Sequence, residues 1–189
     1  MAQTNVMEIA PITLDKRYQL CAGLMRQSKS DNERYGCIIV KDGAVVGTGQ
    51  NRAISHPHFR LEREIRQGYS NHAEIEGLND VLMKTKRRSD ALETLKDADI
   101  FVSGYFPRTK QLFFHDRYTC IRCPPHMRRF DIRSVNIPLP TRWVRKGVDD
   151  ALKEAREFTN GTHRKRLVAT VGSFSIDRAV GVHTQELAR

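Results

Sequence analysis

The chain has 189 residues, with 32 Lys or Arg against 22 Asp or Glu, a net charge of +10, and 39% of its residues are apolar. That length suits one domain with a sizeable core, spanning 1–189, and the mixture of apolar and charged residues is that of a soluble globular chain. A bilayer span is excluded, because no apolar run approaches the roughly 20 residues that one needs.

Met1 to Pro11 lacks a basic segment followed by an apolar stretch, so no secretory signal is read there and a cytoplasmic location is expected. Asn160-Gly161-Thr162 matches a glycosylation acceptor but, without an export signal, reads as a turn. Cys21 and Cys37 sit in apolar-periodic segments and read as small buried hydrophobes. Cys120 and Cys123 form a C-x-x-C pair, for which metal binding or redox chemistry is the expected use in such a compartment. The positive charge implies attraction to polyanions or phosphorylated small molecules. It is spread over Lys84-Thr85-Lys86-Arg87-Arg88, Arg128-Arg129, Arg142 with Arg145-Lys146, and Arg164-Lys165-Arg166, so it leaves the partner open.

A first helix is predicted from Leu14 to about Gln27 with Thr13 as N-cap, because Leu14, Tyr18, Cys21, Leu24 and Met25 recur at helical spacing. Gly36–Lys41 and Ala44–Gln50 flank Asp42-Gly43, a strong hairpin signal because both turn residues tolerate positive φ. Asn51 to Ser70 is a long connection in which Leu61–Arg66 forms a helical turn at most. A second helix is expected from His72 to about Lys86, burying Ile75, Leu78, Val81 and Leu82. Glu93–Asp97 leads into a strand at Ile100–Ser103, and Gly104–Thr119 holds apolar islands among charges. Pro124 and Pro125 fit the first turn of a short helix after Cys123. A strand at Ser134–Ile137 is ended by Pro138 and Pro140, Val148–Phe158 is helical in spacing, and Leu167–Val171 suits a last strand. Strands alternating with helices argue for an α/β sandwich around a mostly parallel sheet with an antiparallel hairpin at one side. No repeat, low-complexity tract or linker divides the chain.

The chemistry-bearing residues fall in two clusters, His72-Ala73-Glu74 and Cys120-Ile121-Arg122-Cys123. Catalytic zinc takes three protein ligands and keeps its fourth position for water. Two thiolates at a helix entrance, where the helix dipole favours the deprotonated form, supply two of them. His72 supplies the third if the two helix N-termini meet over the sheet edge. Glu74, not a ligand, then lies beside the metal's water, takes its proton and returns it to the base under attack. A closed Cys₂His₂ site completed by His126 is an alternative, leaving Glu74 an ordinary helix residue and the protein a non-catalytic interaction module. A redox C-x-x-C is a further one, and His56 with His58 form a candidate second metal site.

The H-x-E and C-x-x-C pairing resembles the cytidine/deoxycytidylate deaminase superfamily, whose signature it carries. Gly36 to Asn51 looks like that family's first hairpin, ending in Gly49-Gln50-Asn51, and Leu95–Ser103 looks like the strand before its cysteines. The resemblance runs from the first helix to Phe158. It implies a three-layer α/β/α sandwich with a mixed sheet of about five strands, with 1–11 and about 163–189 as terminal extensions. It also implies a zinc cofactor, hydrolytic deamination of a cytosine-type base, a homo-oligomer, and contact of Asn51 with the substrate sugar. The order of hairpin, Gly-x-Asn, long insert and His-Ala-Glu looks most like deoxycytidylate deaminases. A phosphorylated substrate would need a cationic clamp, for which Arg60, Arg108 and Lys110 are the candidates. A base within tRNA or single-stranded DNA is the alternative substrate, with a nonphosphorylated nucleoside third.

Three positions depart from the family pattern. Thr119 stands where Pro usually precedes the first cysteine, Glu76 stands where many relatives carry Asn, and the stretch from Ser103 to Cys120 is longer than usual. Phe106, Phe114, His115 and Tyr118 in that stretch suit either a cover for the core or a stacking ring for a base.

Overall fold

Asp15, and not Thr13, starts the first helix. The protein is described here by a computed structural model over residues 12–31, 33–52, 71–108, 111–113, 119–120 and 122–159. Ile12–Leu14 is a short 3-10 turn, tied by the Ile12 amide to Pro140 O at 2.8 Å, and α1 is Lys16–Gln27. The Asp15 carboxylate accepts the amides of Arg17 (2.8 Å) and Tyr18 (3.2 Å), satisfying two donors that a helix start leaves unpaired. Leu14 therefore drops out of the apolar stripe and is 66% exposed, while Tyr18, Cys21, Ala22 and Met25 form the buried face.

β1 (Arg34–Lys41) and β2 (Ala44–Gln50) form the expected hairpin. Asp42 and Gly43 both have positive φ, 49° and 81°, as a two-residue turn matching the strand twist requires. Two helices follow, α2 (Ala73–Lys84) and α3 (Arg88–Leu95), then β3 (Asp99–Phe106) and the short β4 (Gln111–Phe113). The chain continues through α4 (Pro124–Arg128), β5 (Ser134–Pro138), β6 (Trp143–Gly147) and α5 (Val148–Thr159).

The sheet order is β2-β1-β3-β5-β6, with β4 against the C-terminal end of β3. It is mixed, as expected, but it is not mostly parallel. Only β3 with β5 runs parallel; β1 pairs antiparallel with both neighbours, and β6 returns antiparallel to β5. Pro138 and Pro140 do end a strand, but the chain reverses there, closed by Leu139 N donating to Arg142 O at 2.8 Å. β6 went unread because two of its five residues, Arg145 and Lys146, are charged and it lies at the sheet edge, where half-exposed strands lose their apolar signature.

Three layers result. Alternate residues of each strand face opposite sides. Cys37, Ile39, Ile100, Val102, Val135 and Ile137 pack against Ile75, Leu78 and Val81 of α2 and Met127 of α4. Ile38 and Phe101 face the other way, in a cluster with Cys21 of α1 and the flanking Trp143. No helix among the described residues is long and apolar enough to cross a membrane. The expected helical turn at Leu61–Arg66, the strand at Leu167–Val171 and both terminal extensions lie outside the described residues.

α2 lies so close to β2 that Gly49 has no room for a side chain. A Cβ there would meet Ala73 O at 2.1 Å and Gly77 N at 2.3 Å, both backbone atoms of α2. Gly49→Ala is expected to cost about 3 kcal/mol or more, above the usual overpacking range because backbone rather than a side chain must move. A denaturant titration checks the cost, and activity should fall with it because α2 carries His72 and Glu74.

Asp99 ties the other half of the sheet together. Its carboxylate accepts Arg133 Nη2 (2.6 Å) and Nε (3.0 Å), Ser134 Oγ (2.6 Å) and Arg145 Nη2 (3.2 Å). Partial burial pushes this carboxyl up, but the bonds from Arg133 and Ser134 and the charges of Arg145 and Arg133 outweigh it and hold its pKa below the usual Asp range. A depressed folded pKa stabilises the protein above the unfolded value near 3.8, and that stability is lost as pH falls through the folded value. Asp99→Asn is expected to cost about 1 kcal/mol at neutral pH and to flatten the acid limb of a stability-versus-pH curve.

Candidate metal centre

His72 is the N-cap of α2, with extended backbone (φ −78°, ψ 149°), and Cys123 is the N-cap of α4, whose first turn holds Pro124 and Pro125. Each residue therefore sits just ahead of a helix rather than on its face, and the fold brings the two helix starts together. His72 Nδ1 lies 3.1 Å from Cys120 Sγ and 3.3 Å from Cys123 Sγ, and the sulfurs are 3.4 Å apart. The three potential ligand atoms lie within 4.8 Å of one another.

The donor set fits zinc. One imidazole and two thiols are its usual ligands at a site with an open position. A tetrahedral zinc bonded at about 2.3 Å to sulfur and about 2.0 Å to nitrogen separates its ligand atoms by roughly 3.5–3.8 Å. The observed spacings are slightly tighter, and a small outward shift would bring them to those values. His126 does not join the group, so the closed Cys₂His₂ arrangement is not formed. Its imidazole is held below the usual range by burial and by the Arg129 charge. The Cys123 thiol and the His72 imidazole hold the Cys120 thiol well below its usual range, whereas burial pushes Cys123 up. His72 beside both thiols places the C-x-x-C in a three-donor group rather than leaving it an isolated dithiol.

Glu74, in the first turn of α2, is 7% exposed. Burial and the neighbouring Cys120 raise its pKa, against the opposing effects of His72 and of the Thr119 hydroxyl, which donates to Glu74 Oε1 at 3.2 Å. Thr119, noted in the sequence only as a missing proline, is thus a direct partner of the carboxylate.

Glu76 was equally opaque. It is 4% exposed and accepts Asn71 Nδ2 (2.6 Å) and Arg52 Nε (3.0 Å). Arg52 and Asn71 also exchange backbone hydrogen bonds of 3.2 and 2.7 Å. The glutamate thereby closes the neck where the chain leaves after Arg52 and returns before His72.

Asn51 is placed at that neck but is heavily engaged. It is 3% exposed, its Oδ1 accepts Tyr35 N (2.7 Å) and Ser28 Oγ (2.7 Å), and its Nδ2 donates to Glu33 O at 2.8 Å. Arg108 is exposed just beyond β3 and Phe106 ends that strand half-buried. Arg60, Lys110, His56, His58, Phe114, His115 and Tyr118 lie outside the described residues.

Residues 12–138 match the model of the cytidine and deoxycytidylate deaminase zinc-binding region. That match spans more than half of the chain, and the protein belongs to this family of zinc-dependent deaminases. No curated protein sequence matches it. Among solved structures, a cytidine deaminase from Burkholderia pseudomallei is 17% identical, with a TM-score of 0.47, over 74% of this chain and 95% of its own. The dCMP deaminase of cyanophage S-TIM5 in apo form is 16% identical, with a TM-score of 0.36, over 64% of this chain and 74% of its own. A diaminohydroxyphosphoribosylaminopyrimidine deaminase/5-amino-6-(5-phosphoribosylamino)uracil reductase from Thermotoga maritima is 16% identical, with a TM-score of 0.39, over 75% of this chain and 33% of its own. The family assignment rests on the match over residues 12–138, and the cofactor that the His/Cys/Cys group fits is zinc.

Proposed function

We propose that this protein hydrolytically deaminates a cytosine-type nucleotide, with deoxycytidine monophosphate as the leading substrate. In this reading His72, Cys120 and Cys123 hold Zn²⁺, and Glu74 carries protons. The observation behind it is a buried carboxylate beside a group of three potential ligands, one fewer than the four positions zinc usually fills. When bound, the metal supplies Lewis acidity that lowers the pKa of water at the fourth position. Glu74 accepts the proton of the attacking water and returns it to the base as the C–O bond forms at C4 and the C–N bond breaks, releasing ammonia. Thr119 holds Oε1 in place, so the carboxylate needs little rearrangement during transfer. Asn51 has at most one Nδ2 hydrogen beyond the bond to Glu33 for a sugar, and its larger contribution is to brace the start of the neck.

The monophosphate reading is supported by the order of hairpin, Gly49-Gln50-Asn51, connection and His72-Ala73-Glu74, and by the +10 charge. A base within a polynucleotide is the second reading, supported by the same charge. Ammonia release from deoxycytidine monophosphate, deoxycytidine and a dC-containing single strand separates them. The first reading expects the monophosphate to exceed deoxycytidine at least tenfold, about 1.4 kcal/mol of phosphate recognition. Equal rates remove the phosphate from the account, and turnover of the strand alone transfers it to the second reading. Arg60→Ala, Arg108→Ala and Lys110→Ala, assayed on both free substrates, identify the clamp by selective loss with the monophosphate. Association of copies is proposed from the family alone, and light scattering measures it.

A further inference from the structure

Two basic clusters that are 40 residues apart in sequence meet at the far end of the helices that carry the metal centre. Lys86 and Arg87 follow α2, Arg88 begins α3, and Arg129 follows α4. With Leu82, Thr85 and Phe130 they line a cleft of about 470 Å³. The four cations are exposed, and the floor is formed by half-buried Leu82 and buried Phe130.

Their neighbours are paired with acids. Lys84 pairs with Asp80 at 2.6 Å and Arg128 with Asp149 at 3.0 Å. Among the described residues, no carboxylate lies within ion-pair distance of Lys86, Arg87, Arg88 or Arg129. Asp90, two residues after Arg88, is bonded by the Ser89 hydroxyl at 3.2 Å, and Asp131, two residues after Arg129, forms no ion pair with it. The C-terminal dipole of α2 accounts for Lys84 and favours Lys86. It does not account for Arg87 and Arg88, which stand at the N-cap and first position of α3, where the dipole disfavours cations. The Arg87 side chain makes no cap bond there. Four like charges line one cleft with no ion-pair partner among the described residues.

The cleft is not the phosphate pocket of a nucleotide held at Glu74. From Glu74 to the end of α2 at Lys84 is roughly 15 Å at the helical rise, and Lys86 lies beyond that end. A mononucleotide reacting at one end of α2 does not fill the other. An anion that uses this cleft is therefore either separate from the substrate or extended. The cations stand on an open rim contributed by two segments, an arrangement suited to tracking a chain of phosphates rather than enclosing a compact one.

We propose that this cleft binds the phosphodiester backbone of a polynucleotide. The inference is independent of the substrate assigned above, because binding is measured without turnover. The test uses fluorescence anisotropy of labelled single-stranded oligo-dT, which contains no cytosine, on the full chain across a salt series. The cleft variant is Lys86→Gln/Arg87→Gln/Arg88→Gln/Arg129→Gln. A charge-matched control, Lys16→Gln/Lys29→Gln/Arg142→Gln/Lys153→Gln, removes four exposed cations elsewhere. The cleft variant should bind at least tenfold more weakly, with a log–log salt slope shallower by about three, from roughly 0.7 per phosphate contact in single strands. The control should keep most of the wild-type slope, and thermal melts establish that both variants are folded. Equal losses in the two variants would show attraction to net charge alone and overturn the proposal. So would an unchanged slope in the cleft variant, or tight binding of inorganic tripolyphosphate by a wild-type protein that does not bind oligo-dT.

Discussion

Glu74→Gln should lower kcat by about 10²–10⁴-fold, the usual contribution of a positioned proton carrier, while leaving zinc bound. The substitution is close to isosteric and keeps an oxygen for the Thr119 hydroxyl, so it removes the basic function and little else. Glu74 is buried, and a neutral amide there imposes less desolvation cost than a carboxylate. Stability should therefore be unchanged or slightly raised, which separates a chemical defect from a folding one. Steady-state turnover and a thermal melt on the same preparation read both quantities. A variant that turns over within tenfold of wild type would remove Glu74 from the proton path.

Cys120→Ala should abolish tight zinc binding and lower the melting temperature by roughly 10 °C. The estimate follows from linkage: a metal at about a thousand times its Kd contributes about 4 kcal/mol, and a domain of this size shifts by about 2–4 °C per kcal/mol. In the proposed reading the three ligands come from the entrances of α2 and α4, so bound zinc would tie the two helix starts together. Chelation should bring wild type down to the variant's melting temperature and leave the variant where it is. The added zinc should restore only wild type. A chelator-insensitive wild type with full turnover would refute the ligand assignment.

Those two expectations rest on residues that are legible in the sequence. His72 and Cys123 are each followed by a helix start, and Asp42-Gly43 specifies its turn through local φ preferences. These are short-range features, set by a few neighbouring residues. Asp15 and Thr13 are both good N-caps by type, and in the fold it is Asp15 that accepts the first-turn amides while Ile12 is tied to Pro140. Strand direction is set by pairing between distant segments, so a pattern of alternating strands and helices suggested a parallel sheet where the hairpins make it mostly antiparallel. β6 is short, charged and at an edge, and carries almost no apolar signal.

The site shows the same division. Ligand types and spacing were legible, but partners were not. Thr119 and Glu76 registered as departures from a pattern, and the structure turns both into contacts: one with the Glu74 carboxylate, the other with Arg52 and Asn71 at the neck. Asn51 was read as a sugar contact, and its burial among Ser28, Glu33 and Tyr35 could not be inferred from Gly49-Gln50-Asn51. The basic clusters gave no sign that two of them share a cleft.

The most direct test of the central claim is ammonia release from deoxycytidine monophosphate by purified protein whose zinc content has been measured. The account predicts one zinc per chain and turnover that chelation abolishes and zinc restores. Protein without zinc, or zinc-loaded protein that releases no ammonia from any cytosine-containing nucleotide or strand, would contradict it.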